Sequence, residues 1–271
     1  MAKVSTEDRH KYFEKIKPYK ASIHALLKRE ELSRQVLKRD DIGAALKRMA
    51  LVEEMISLAA NYIIINGISL SMLKVRSEEA LNDGRKSLYK AVIYMEEAVS
   101  PLLDAPFSDY EERLAEIRDI DARKRYTIVK KLGLVLQLLI NAYGDNTKWR
   151  WSFVELEGRF ATVAKNVMNL KTAVVNTDPS SPDYEPTMYH LRMIKKLLLQ
   201  AADRYREKYE LSTNRVDDFK MGIHFLNALK RVHSLLGERE SAETLKKKSD
   251  IWSAKLEMDM KKQEDGSSKK M

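Results

Sequence analysis

The sequence predicts an all-α fold: about seven or eight helices in a packed helical bundle or a short α-solenoid-like array of helical hairpins. Three observations predict it. Glycine (9) and proline (6) are scarce in 271 residues, too few for the turns of an all-β fold. Apolar residues recur at steps of three and four, as in Ile128, Leu132, Val135, Leu139 and Tyr143, or Phe160, Ala164, Val167, Leu170 and Val174. Such steps align side chains on one face of an α-helix. No segment alternates with period two between turn signals.

The breakers set the elements in order. Pro18 is read as interrupting a basic amphipathic start, and Asp40–Asp41 as opening a long helix. Ser77 followed by Glu78 and Glu79 marks a restart, with an N-cap and early acids. Ser100–Pro101 and Ala105–Pro106 end that helix, because proline disfavours helical geometry in the residue before it. Ser108 with Glu111 forms a capping box, so a new helix is expected there, running to Gly144–Asp145–Asn146–Thr147. Thr147 caps the next helix, and the stretch from Asn176 to Pro186 is the strongest loop signal. Met188, Leu191, Leu198, Ala202 and Tyr205 carry the following helix, with turns at Ser212–Thr213–Asn214 and Gly237. The resulting organisation is an N-terminal helical half, 1–105, and a C-terminal helical half, 106–262, packed together as one domain. Residues 263–271 form a disordered tail, since they offer nothing apolar to bury.

Two segments are apolar nearly all round, 132–143 and the 19 uncharged residues from Met55 to Leu73. The second could just span a bilayer by length. Its Ser57, Asn61, Asn66, Gly67, Ser69 and Ser71 suit lipid poorly, so a central helix is expected and no membrane span. Gly67 and Gly133 would then permit close helix approach. Asn61 and Asn66 are expected to hydrogen-bond between helices, or else to line a pocket.

Composition and motifs exclude several kinds of chemistry. There is no cysteine, hence no disulfide, thiolate metal site or cysteine nucleophile. The N-terminal residues lack an apolar core segment, which argues against a secretory signal and makes the cytoplasm the expected location. No phosphate-cradling glycine loop, nucleophile elbow or zinc-protease motif occurs. Of the five histidines, Glu7 and His10 form one Glu-x-x-His pair, where a di-iron bundle needs two. His224 and His233 are not on one helical face. The acidic pairs Glu53–Glu54, Glu96–Glu97, Glu111–Glu112 and Asp217–Asp218 are adjacent in sequence, so their side chains diverge on a helix. No catalytic residue, metal ligand or cofactor is expected from these patterns, and an enzyme is the less favoured class.

The net charge is +9, distributed over segments of mixed sign. Residues 1–40 hold 11 basic and 6 acidic groups, 81–120 hold 5 and 9, and 121–160 hold 8 and 4. Mixed faces are the ordinary way to solvate helices. The densest aromatic cluster is Trp149–Arg150–Trp151. Tryptophan and arginine are enriched at partner hot spots, so these three are the candidate partner-binding residues; the alternative is that one tryptophan anchors a helix start.

Gly237 and Ala242, in LLGERESAETL, resemble the turn and second helix of a tetratricopeptide-type repeat, and Ala91 and Ala98 show similar small-residue spacing. Their separation is not a multiple of the roughly 34-residue period, so helical hairpins rather than a regular array are implied. The expected function is a non-enzymatic helical scaffold or adaptor that binds another protein, which requires an exposed apolar groove. The alternative is nucleic-acid binding through Lys28–Arg29 and Arg123–Lys124–Arg125, whose bases must converge on one face. A third class, an enzyme inside a helical bundle, requires a pocket with convergent polar groups and a perturbed titratable residue. The sequence leaves oligomeric state open.

Overall fold

The computed structural model describes residues 5–39, 42–145 and 147–268, with 263–268 described as backbone only. Ten α-helices make up most of the described chain, and no strand occurs among the described residues. The fold is all-α, as expected. The helix count exceeds seven or eight because two predicted helices are each broken in two. The helices gather into two compact units, Met1–Ser100 with Glu112–Arg150, and Pro101–Glu111 with Trp151–Met271.

In unit 1, α1 spans Thr6–Leu37, capped by the Ser5 hydroxyl, which accepts from the Asp8 N–H at 3.0 Å. The predicted interruption at Pro18 does not occur. Proline forfeits one backbone hydrogen bond, but Ile16 before it and Ile23 and Leu26 after it are all buried and hold one continuous face against the unit. Asp40–Asp41 lie outside the described residues. Helix α2 runs Ala44–Leu73 and follows Gly43, whose φ of 64° is the left-handed turn that breaks α1 from α2. Helix α3 is Glu78–Ala98, with the Ser77 cap in place. The capping-box region yields a 3₁₀ turn at Phe107–Asp109 and only the five-residue α4, Glu111–Ala115. Asp121 then caps α5, Ala122–Tyr143, accepting from the Lys124 N–H at 2.6 Å. The break between α4 and α5 has a cause. The buried Arg125 guanidinium donates to the carbonyls of Ile117 and Ile120, at 2.8 and 2.7 Å, and satisfies backbone that a continuous helix would have paired itself.

Helix α2 packs against α1, α3 and α5. Met49, Leu51, Val52, Met55, Leu58 and Ala59 are buried along it. By length and composition alone it could also cross a membrane. Asn61 donates to Ser22 of α1 at 3.0 Å, and Asn66 accepts from the Ser77 N–H at 2.9 Å, so both tie elements together. Gly67 does not mediate close approach, since a Cβ there would meet nothing within 4 Å.

The acid pairs diverge: Glu53 receives Lys124, and Glu54 faces Arg29. Among the described residues of unit 1 one acid is buried, Glu30 of α1. It accepts both from Lys90, at 2.8 Å, and from the Tyr94 hydroxyl, also at 2.8 Å, both on α3. Burial, and next that hydrogen bond, push the Tyr94 phenol up. Glu30→Ala is expected to lower the stability of unit 1 by about 1–3 kcal/mol, because it strands the Tyr94 hydroxyl. Urea unfolding followed by circular dichroism checks this, with Lys90→Ala also expected to destabilise unit 1, since it leaves the buried Glu30 carboxylate without its counter-charge.

Unit 2 is built around α6, Arg150–Asn166. Every residue from Phe160 to Met168 is buried, the pattern of a helix surrounded by others rather than one with a single apolar face. The apolar run predicted to continue to Val174 breaks at Asn169, whose side chain accepts from the N–H groups of Lys171 and Thr172 and caps the short α7, Leu170–Val175. Helix α8 is Tyr184–Lys208, with Pro186 in its first turn where no donor is lost. A π-helical turn, Tyr209–Thr213, follows, and Asn214 adopts a left-handed φ of 48°. Helix α9 is Val216–Leu235. It meets α10, Arg239–Ser268, across Gly237, whose φ is 74°. Helix α10 thus carries helical backbone beyond Gln263, where the sequence predicts disorder; residues 269–271 are outside the described ones.

Helix α9 packs on both α8 and α10. Tyr209, Phe219 and Trp252 stack in sequence, with ring centroids 4.8 and 5.7 Å apart. Gly158 of α6 lets Tyr205 and Phe225 close over it, since a Cβ there would lie 2.7 Å from the Tyr205 ring.

Candidate functional site

The segment Pro101–Tyr110 is strapped across unit 2 by two bonds. Asn166 donates to the Leu102 carbonyl at 2.9 Å, and Arg231 of α9 donates to Asp104 at 2.6 Å. Pro101 and Pro106 keep the first part of the strap, 101–106, non-helical, ahead of the 3₁₀ turn. Between the strap, the last turn of α6, the start of α7 and the second half of α9 lies a cleft of about 380 Å³. Its walls are mainly apolar, with Leu103, Phe107, Leu170, Val232 and Leu235 among them. Leu235 is 49% exposed, so the cleft reaches the surface.

Lys165 is a buried cation in this lining. It is 3% exposed, yet its ammonium has one polar partner among the described residues, the Tyr110 hydroxyl at 3.4 Å. It also lies 4.9 Å from the centre of the Tyr110 ring, a cation–π arrangement. Burial lowers the Lys165 pKa from 10.5 to about 8; Asp104 opposes the shift and Arg231 adds to it. Asp104 is engaged by Arg231 and does not pair directly with Lys165. Tyr110 itself is 1% exposed, and burial raises its pKa. Lys230 and Arg231 also line the cleft, and no carboxylate or imidazole does so among the described residues. The arrangement is therefore an apolar cleft with an under-paired amine and a phenol in its wall. Its apolar walls can take up an apolar body with the amine and the phenol beside it.

The residues singled out from the sequence lie elsewhere. Trp149 and Arg150 belong to unit 1 and Trp151 to unit 2, so the cluster is divided. The Arg85 guanidinium stacks over the half-buried Trp149 ring at 3.9 Å, while Trp151 packs on the core that holds Phe225 and Leu229. Arg150 is half-buried. His190 is buried and its Nε2 lies 2.9 Å from the Ala164 carbonyl; His233 pairs with Glu238. Reading the sequence for chemistry missed Lys165. The available signal was a single charge in the otherwise uncharged run 160–170.

Fold and cleft together define an all-α helical protein with a ligand-sized apolar cleft in its second unit. The chain belongs to the TP0443 family, whose model matches residues 8–260. No curated protein and no solved structure matches it.

Proposed function

We propose that the chain is a non-enzymatic helical adaptor that binds another protein, and that the cleft of unit 2 receives an apolar segment of that partner. The cleft itself carries the reading. An adaptor needs an exposed apolar recess, and this one, at about 380 Å³, is the right size for a few side chains. Burying apolar surface there contributes about 25 cal/mol per Å² removed from water, before the costs of association. The mainly apolar lining supports the binding reading, because a recess for a partner's apolar side chains needs such walls.

The protein reading is preferred over nucleic-acid binding because the basic segments named for phosphate contact have other partners. Arg29 faces Glu54 at 3.1 Å, Lys124 holds Glu53 at 2.6 Å, and Arg125 is buried on backbone carbonyls. The test is affinity capture from native lysate, washed at low and high salt, with and without nuclease. A defined protein that survives nuclease and high salt is expected. Recovery of nucleic acid that is lost as salt rises would reverse the assignment.

A further inference from the structure

The cleft of unit 2 holds a charge without its complement. Lys165 is buried in an apolar wall, its partner the Tyr110 oxygen. A buried ammonium is normally paired with a carboxylate, since desolvating it alone is costly. The nearest acid, Asp104, is bound to Arg231 at 2.6 Å. Because the Tyr110 oxygen accepts from Lys165, its own hydrogen remains to be donated. Both groups line the same recess as Phe107, Leu170 and Val232.

We propose that this cleft recognises a carboxylate carried on an apolar body, presented by the partner as an acidic side chain flanked by apolar ones, with Lys165 as its counter-charge and the Tyr110 hydroxyl as second donor. The inference rests on the cleft being the docking site. Charge complementarity selects the occupant: a neutral segment leaves Lys165 under-paired, and a cationic one meets Lys165, Lys230 and Arg231 together. A carboxylate supplies a charge-assisted bond inside a low-dielectric recess. It also favours the charged amine, so Lys165 takes up a proton as the carboxylate binds around pH 8, where the unliganded amine gives its proton up. The charged groups facing Lys165 are Asp104 on the strap and Arg231 on α9, and Tyr110 is the further titratable one; Asp104 and Arg231 are held to each other.

The test uses the full-length protein and four probes: sodium octanoate, 1-octanol, a short peptide with glutamate between leucines, and the same peptide with glutamine. Calorimetric titration near neutral pH is expected to show each acid binding at least about tenfold tighter than its neutral counterpart. Lys165→Met is expected to abolish that preference while still binding octanol, and Lys165→Arg to keep part of it. Octanoate binding at pH 8 is expected to give heats that vary with the buffer's ionisation enthalpy, the sign of proton uptake. Octanol binding as tightly as octanoate would overturn carboxylate recognition and leave the cleft as an apolar docking site. Discrimination by octanoate with no peptide binding would overturn the partner-borne source in favour of a free acid. Binding by none of the four would remove the cleft as a docking site, and affinity capture then decides the adaptor reading separately.

Discussion

Replacing Trp252 with alanine is expected to lower the stability of unit 2 by about 3–5 kcal/mol. Trp252 is the principal anchor of α10. Its side chain is 4% exposed, and its ring stacks on Phe219 of α9, which is fully buried. Arg206 and Lys248 place cations 5.3 and 5.0 Å from the ring centre, so the indole is gripped by both aromatic and charged neighbours. The ring also packs within 3.3 Å of where a Cβ on Gly222 would stand, so the opening it leaves is bounded by backbone that cannot easily collapse. Helix α10 offers few other buried apolar side chains, chiefly Leu245 and Leu256. Many of its exposed residues are charged, so without the indole it loses much of its reason to dock. Urea unfolding followed by circular dichroism measures the loss. Trp252→Phe, which keeps the stack, is expected to cost about 1–2 kcal/mol. A loss under about 1 kcal/mol for the alanine variant would show that α10 does not depend on this ring.

Lys165→Met is expected to do the opposite and stabilise unit 2 near neutral pH. The buried amine gives up its proton at about 8, against an ordinary 10.5. That difference corresponds to about 3 kcal/mol of penalty on the charged form. Losing the long contact to Tyr110 and the cation–π interaction offsets part of it, so a net gain of about 1–3 kcal/mol is expected. The pH dependence follows from proton binding. Below about pH 8 both folded and unfolded chains carry the proton and the penalty is present in full. From about 8 to 10.5 the unfolded chain binds more protons than the folded one, so wild-type stability contributed by this group rises with pH. The methionine variant lacks that rise, and its advantage shrinks across the same window. Melting temperatures of both proteins between pH 7 and pH 10 check it. A variant less stable than wild type at pH 7 would mean that Lys165 is better satisfied than its surroundings indicate.

The helical class was legible because amphipathic spacing and caps are local. Ser77 occupies an N-cap and Gly237 turns the chain between α9 and α10, both as read, whereas Asp121 and Asn169 cap helices where the spacing reads as unbroken. The errors come from burial and from side chains that bond backbone in ways that apolar spacing does not encode. Pro18 reads as a breaker, but burial of Ile16, Ile23 and Leu26 carries α1 through it. The helix expected from Ser108 is cut because Arg125 reaches back to two carbonyls, a bond that spacing alone does not announce. The candidate site was less legible still. Trp149 and Trp151 attract attention by residue type, and neither is in the cleft lining. Lys165 reads as one solvated lysine, and only the burial of α6 on every side turns it into an under-paired amine. The strap that closes the cleft joins residues far apart in sequence, as Asp104 to Arg231 shows.

The central claim is that the partner docks in the cleft of unit 2, and Ala105→Trp tests it most directly. Ala105 lies in the cleft lining, half-buried on the strap, where an indole fills the recess without touching the stack around Trp252. Wild type and variant are compared in the same affinity capture, after matching melting temperatures confirm that both are folded. Loss of the captured protein from the variant alone is the predicted result. Equal capture by both proteins would contradict it and place the partner's contact elsewhere on the molecule.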